Sequence, residues 1–200
     1  MALISSFSND STIECGCDEA GRGALAGPVF AAAVILPHDY HHPDLNDSKQ
    51  ISAQKREQLR EEIIKEALAY QVISISVEEI DKINILNASF KGMNEAVKGL
   101  SIKPELLLID GPLFRNDTTI PYQCIVKGDA LYYSIAAASI LAKTFRDEHL
   151  IQLGTKYPQY GWDRNKGYAT KQHQEAILKY GFTPLHRRSF HLKGQLKFDF

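Results

Sequence analysis

The spacing of apolar residues changes several times along the chain, and each change marks an element. Thr12 to Asp18 reads as a strand. The run GPVFAAAVIL ending at Leu36 is apolar enough to be a strand covered on both faces. Pro37 to Pro43 reads as a loop. From Ser52 to Tyr70 the apolar positions Leu59, Ile63, Ile64, Ala67 and Leu68 recur at helical spacing, with Ser52 as a candidate N-cap. YQVISISV alternates and is β-branched, which predicts a strand. Asn84 to Leu100 predicts a helix ending near Gly99. ELLLIDG is a short buried strand stopped by Gly111 and Pro112, and IPYQCIV is another. Asp129 to Leu153 predicts a long helix whose central small residues suit close packing on a sheet. Thr170 to Tyr180 predicts a last amphipathic helix closed by Gly181. The order implies an α/β domain around a mixed sheet with a helical C-terminal part, not a doubly wound nucleotide fold.

The 200 residues suit one domain. The N-terminus lacks a basic start and an apolar core, so no signal peptide is expected. The longest apolar run is too short to span a bilayer. Three cysteines, Cys15, Cys17 and Cys124, fit a reducing cytoplasm, and no second ligand pair completes a zinc site. Net charge is only −1, but it is segregated. Residues 1–150 carry 14 basic against 21 acidic side chains, and residues 151–200 carry 9 against 3. A basic C-terminal quarter suits a polyanion.

Four acids fall where α/β sheets place ligands. Asp18 and Glu19 close the first strand, Asp110 closes LLLID, and Asp129 begins the long helix. If the first and LLLID strands are neighbours, the acids meet at one rim. Neighbouring strand residues face opposite sides, so Asp18 and Glu19 share a site only if the chain turns there, which Gly21 permits. Clustered carboxylates need cations, and hard oxygen donors favour Mg²⁺ or Mn²⁺. Two such ions about 3.5–4 Å apart serve in-line phosphodiester cleavage. Taken singly, Asp129 reads equally as a helix cap and Asp110 as a turn former. The bare backbone of Gly21, Arg22 and Gly23 can approach a sugar-phosphate and bond a 2′-OH. No phosphate-binding loop of the ATPase type is present.

These pieces, with LNDSKQIS, KGD, SIAAASILAKTFRD, NKGYATKQH and GFTPLHRRSF, resemble ribonuclease HII, the prokaryotic type-2 ribonuclease H family, from Cys17 to Phe190. The resemblance implies a ribonuclease H-like mixed β-sheet flanked by helices, with a C-terminal helical extension. It implies cleavage of the RNA strand of RNA–DNA hybrids, and nicking of duplex DNA 5′ to embedded ribonucleotides. The products would carry 5′-phosphate and 3′-hydroxyl ends. The implied roles are ribonucleotide excision repair and RNA primer removal, with two divalent cations as cofactors. The family's metal carboxylates fall on Asp18, Glu19, Asp110 and Asp129, with Asp147 as a rival for the fourth. Its 2′-OH-sensing segment falls on Gly21, Arg22 and Gly23, and its junction-sensing tyrosine on Tyr168. Ser48, Lys49 and Lys143 fall on polar positions near the nucleic-acid backbone. His173, His186, Arg187 and Arg188 belong to the basic part and hold the duplex, or Arg187 and Arg188 only brace the fold. His41, His42 and His186 receive no specific role.

The expected organisation is one domain over residues 1–200. Its core is about 12–154, the basic helical part about 155–193 and the tail 194–200. The tail QLKFDF, Gln195 to Phe200, resembles short segments that dock repair proteins on a bacterial sliding clamp. The alternative is that its phenylalanines pack on the protein itself. A cytoplasmic monomer is expected. Ribonuclease HIII shares the fold but usually carries an extra N-terminal domain, for which the segment before the first strand is too short. A non-catalytic hybrid binder would gain nothing from four clustered acids. A small-molecule phosphatase would not need the basic C-terminal quarter.

Overall fold

A computed structural model of the chain describes residues 3–8, 11–45 and 51–190. Five strands form one mixed sheet in the order β3-β2-β1-β4-β5. They are β1 (Glu14–Ala20), β2 (Val29–Ile35), β3 (Ala69–Ile75), β4 (Leu106–Asp110) and β5 (Tyr122–Ile125). β1, β2 and β3 pair antiparallel in sequence, whereas β4 and β5 run parallel to β1. The helices are α1 (Ala53–Glu66), α2 (Val77–Ile83), α3 (Ile85–Lys98), α4 (Tyr133–Lys156), α5 (Trp162–Asn165) and α6 (Lys171–Tyr180).

Alternation along β2 explains the layers. Ala32 and Val34 pack with α1 and α4 on one face. Ala31, Ala33 and Ile35 pack with Cys15, Cys17 and the apolar side of α3 on the other. Every residue of β2 is buried, as its uninterrupted apolar run predicts. The small-residue centre of α4 brings that helix against β1. A Cβ on Gly16 would lie 2.1 Å from the Ser134 carbonyl carbon, so only glycine permits this approach. A third cluster, built on Leu25, Leu150, Tyr160, Trp162 and Ile177, joins the C-terminal helices to the body.

The structure moves several predicted boundaries. Ser52 does cap α1, accepting from the Lys55 N–H, but the helix ends at Glu66 rather than Tyr70. There the Leu68 N–H donates to Ile35, drawing the chain into β3. The sequence reading extends a strand to Val77, yet Val77 opens α2. Ser76 caps that helix by accepting from the Glu79 N–H. The Ser-x-x-Glu spacing is a helix-start signal that outweighs the alternation before it. The long helix begins at Tyr133, and Asp129 sits in a separate 3-10 turn over Gly128–Ala130.

Candidate active site

Parallel pairing of β1 with β4 sets Cys17 opposite Ile109, so Asp18 and Asp110 each follow the last paired position. The conditional expectation that these strands are neighbours is met. The expected turn between Asp18 and Glu19 is not. β1 stays extended to Ala20, and Asp18 and Glu19 pair regularly with Ala32 and Ala31. The two acids therefore start from opposite faces. Asp18 belongs to the α4 side, where the Ser139 side chain hydrogen-bonds it.

Burial comes first in holding the Asp18 carboxyl well above the usual range, followed by the charges of Glu19 and Asp110. The Ser139 bond and the Glu19 N–H pull it back down. Burial also raises Glu19, against the opposing pull of Arg22, and the Asp110 charge adds to the rise. Three carboxylates thus share one field. The 3-10 turn is tied to them: the Gly128 N–H donates to Asp110 Oδ1 at 2.7 Å, which brings buried Asp129 to the end of β4. Sequence reasoning did not include Ser139.

Among the described residues, no three His, Cys, Asp or Glu side chains are gathered tightly enough to hold a metal ion as they stand. Repelling carboxylates turn to other partners. Glu19 lies 3.0 Å from the Arg22 guanidinium, and Asp110 takes the Gly128 N–H. The donor set still fits a hard divalent cation, because every donor is a carboxylate oxygen and burial already disfavours its uncompensated charge.

Gly21 and Gly23 lack side chains for different reasons. Gly21 is buried at φ +99°, and a Cβ there would lie 2.0 Å from Arg146 Nε. Gly23 is exposed, and a Cβ there would meet nothing within 4 Å. Protein packing therefore accounts for Gly21 but leaves the face at Gly23 open to a ligand. The Arg22 side chain is exposed apart from its contact with Glu19.

Tyr168 is 36% exposed. Two cations flank its ring: Arg146 Cζ at 5.3 Å and Lys143 Nζ at 5.9 Å. Lys143 Nζ is also held 2.7 Å from Asp147 Oδ1. The rival acid thus has a structural partner one turn earlier on α4. Ser48, Lys49 and the tail Gln195–Phe200 lie outside the described residues.

The C-terminal basic residues divide into bracing and packing roles. Arg187 is buried and donates to the carbonyls of Gly27 and Arg22. Burial pushes it down to about 9. His173 and His186 lie buried beside Trp162, whose Nε1–H donates to His173 Nε2 at 3.0 Å. His41 packs edge-on to Tyr133, and His42 Nε2 lies 2.7 Å from Glu62 Oε2. Sequence reasoning passed over Arg146. Its signal was position: Ala138, Ala142 and Arg146 recur every four residues on the buried side of α4.

Comparison with known proteins agrees with this architecture. Residues 15–193 match the family model of ribonuclease HII. The ribonuclease HII of Bacteroides thetaiotaomicron is 54% identical over 200 residues, covering 99% of this chain and 100% of its own. The solved ribonuclease H2 of Pyrococcus horikoshii superposes with a TM-score of 0.76 at 26% identity, covering 88% of this chain and 93% of its own. The ribonuclease HII of Archaeoglobus fulgidus, solved as a complex with PCNA, gives 0.75 at 26% identity, covering 94% and 100%. The chain belongs to the ribonuclease HII family. It has the ribonuclease H-like fold and is an endonuclease acting on RNA–DNA hybrids.

Proposed function

We propose that this member of the ribonuclease HII family also nicks duplex DNA on the 5′ side of single embedded ribonucleotides, leaving 5′-phosphate and 3′-hydroxyl ends. The observation that carries this is the juxtaposition at the end of β1. Asp18 and Glu19 precede the open backbone at Gly23 by five and four residues at the end of β1, and Asp110 ends the neighbouring strand β4, with its charge felt by both. This proximity supports a reading in which cleavage and ribose recognition share one end of the sheet.

Asp18, Glu19, Asp110 and Asp129 would hold two divalent cations, Mg²⁺ or Mn²⁺. Those ions would supply charge stabilisation and an activated water for in-line attack. The chain's own part is to orient the phosphate and to recognise the sugar. The backbone of Gly21, Arg22 and Gly23 approaches the ribose and tests its 2′-OH. Tyr168 packs against the next sugar and marks the junction from RNA to DNA. Lys143, with Ser48 and Lys49, contacts phosphates. The corresponding tasks are ribonucleotide excision repair and RNA primer removal.

The functional organisation is a core over about 12–154, a basic helical part over about 155–193 and a tail over 194–200. We assign the tail, Gln195–Phe200, to sliding-clamp docking, in keeping with the complex of the archaeal relative with PCNA. No helix among the described residues is long and apolar enough to cross a membrane. A cytoplasmic monomer fits these tasks.

A labelled duplex with one ribonucleotide, assayed beside an all-DNA duplex and an RNA-tract duplex, tests the proposal. A cut 5′ to the ribonucleotide, abolished by EDTA, is expected. Cleavage of the tract alone would refute the single-ribonucleotide reading.

A further inference from the structure

The two proposed ribose-reading parts come from distant segments. Gly21–Gly23 follows β1, whereas Tyr168 lies between α5 and α6. One buried side chain touches both. Arg146 projects from α4, and its guanidinium donates to three carbonyls: Nε to Pro28 at 3.1 Å, Nη2 to Ala26 at 3.2 Å and Nη1 to Lys166 at 3.0 Å. Its side chain fills the space beneath Gly21, where a Cβ would collide with Nε. Its Cζ stands 5.3 Å from the centre of the Tyr168 ring.

The backbone completes the joint. Gly167 O accepts from the N–H groups of Leu25 and Ala26, at 2.8 and 3.3 Å. A Cβ on Gly167 would lie 2.4 Å from Ala26 O, so the two segments are in direct apposition. A planar fork with five donors can hold carbonyls from both segments at once, which an ammonium group does poorly. A buried cation that bonds carbonyls rather than carboxylates is costly to desolvate. An apolar side chain would fill the same volume without that cost.

We propose that Arg146 is a positioning residue for ribose recognition: it fixes the Gly21–Gly23 segment and the Tyr168 ring relative to each other. This rests on the reading of those residues given above. Its consequence is selective. In an RNA tract every sugar carries a 2′-OH, so a slipped register still presents ribose to the glycines. At a single ribonucleotide only one register satisfies both sensors. Loosening the joint therefore penalises the single ribonucleotide more than the tract.

The test is steady-state kinetics of the full chain on both duplexes, for wild type, Arg146→Lys, Tyr168→Ala and the double variant. Arg146→Lys is expected to lower kcat/KM on the single ribonucleotide about tenfold more than on the tract, chiefly through kcat. Added to Tyr168→Ala, it should change that ratio less than about twofold further, because both act through one contact. Equal losses on both substrates by a folded Arg146→Lys protein would reduce the arginine to a brace and overturn the inference. Independent, multiplying effects would also overturn it.

Should Arg146→Lys not fold, Gly167→Ala separates the segments with the arginine intact. The same selective loss is expected, and an unselective one is contrary. If Tyr168→Ala itself leaves the ratio unchanged, the Tyr168 assignment falls and the inference falls with it. A selective loss in Tyr168→Ala without one in Arg146→Lys removes the inference alone.

Discussion

The backbone N–H of Gly128 donates to the carboxylate of Asp110 over 2.7 Å, and this bond fastens the turn bearing Asp129 to the end of β4. The fourth acid is therefore placed by main chain and not by helix α4. Gly128→Ala should disturb it, since the new Cβ would lie 2.5 Å from Ile135 Cδ1 and 3.4 Å from Ile125 Cβ. Overpacking of this kind costs about 1–3 kcal/mol. We expect a lower Tm and a loss of roughly tenfold or more in kcat, read by thermal denaturation and hybrid cleavage. Unchanged kcat would separate Asp129 from the chemistry.

Gly16→Ala tests the approach of α4 to β1. The clash there is with backbone of Ser134 and Ile135, which cannot swing aside. Destabilisation of about 3 kcal/mol or more is expected, seen as a fall in Tm or as insoluble protein. Wild-type stability would mean that the helix sits farther from the sheet.

Relief of charge gives a prediction of opposite sign. Asp110→Asn keeps an oxygen to accept the Gly128 N–H but removes one of three coupled negative charges. In metal-free buffer the variant should gain about 1 kcal/mol, or roughly 3 °C in Tm. Wild type should be stabilised by added Mg²⁺ or Mn²⁺, and the variant much less, because binding to the folded state raises Tm by mass action. Differential scanning calorimetry with and without the ions reads both effects. Equal stabilisation of the two proteins would argue against Asp110 as a ligand.

The histidine cluster predicts acid sensitivity. Burial first, then the neighbouring His173 and Arg188, pushes His186 down to about 4, and burial also lowers His173. Both stay neutral in the fold while unfolded imidazoles protonate below about pH 6.5. The unfolded chain then binds more protons, so this stabilisation is full above about 6.5 and is lost as pH falls toward 4. Asp18 works in the other direction, so the informative quantity is the difference between wild type and His186→Gln. Melts followed by Trp162, the only tryptophan, should show the wild-type advantage shrinking across that window. A constant difference would contradict it.

The parts of the fold set by local pattern were legible in the sequence. The unbroken apolar run of β2, the Ser52 cap and the Gly181 stop each announce themselves. The acids at strand ends were legible as candidates, but their meeting depends on the parallel pairing of β1 with β4, which no local spacing encodes. Glu19 shows the limit of strand alternation. It starts on the far face of β1 from Asp18, yet its longer side chain still feels Asp110. Arg146 was illegible as a functional position because its partners, Ala26 and Pro28, lie over a hundred residues away in sequence. Its four-residue spacing from Ala138 and Ala142 marks the buried side of α4, but not the carbonyls that it meets there. The missing side chain of Gly21 also makes room for that arginine, a constraint that no local spacing encodes.

The most direct test of the central claim is turnover of Asp18→Asn on an RNA–DNA hybrid at saturating Mg²⁺. The substitution keeps shape and removes the charge at the most buried of the coupled acids. If these carboxylates hold the ions that drive hydrolysis, the folded variant should lose about a hundredfold or more in kcat. Wild-type turnover by well-folded Asp18→Asn protein would contradict the account and move the chemistry away from the end of β1.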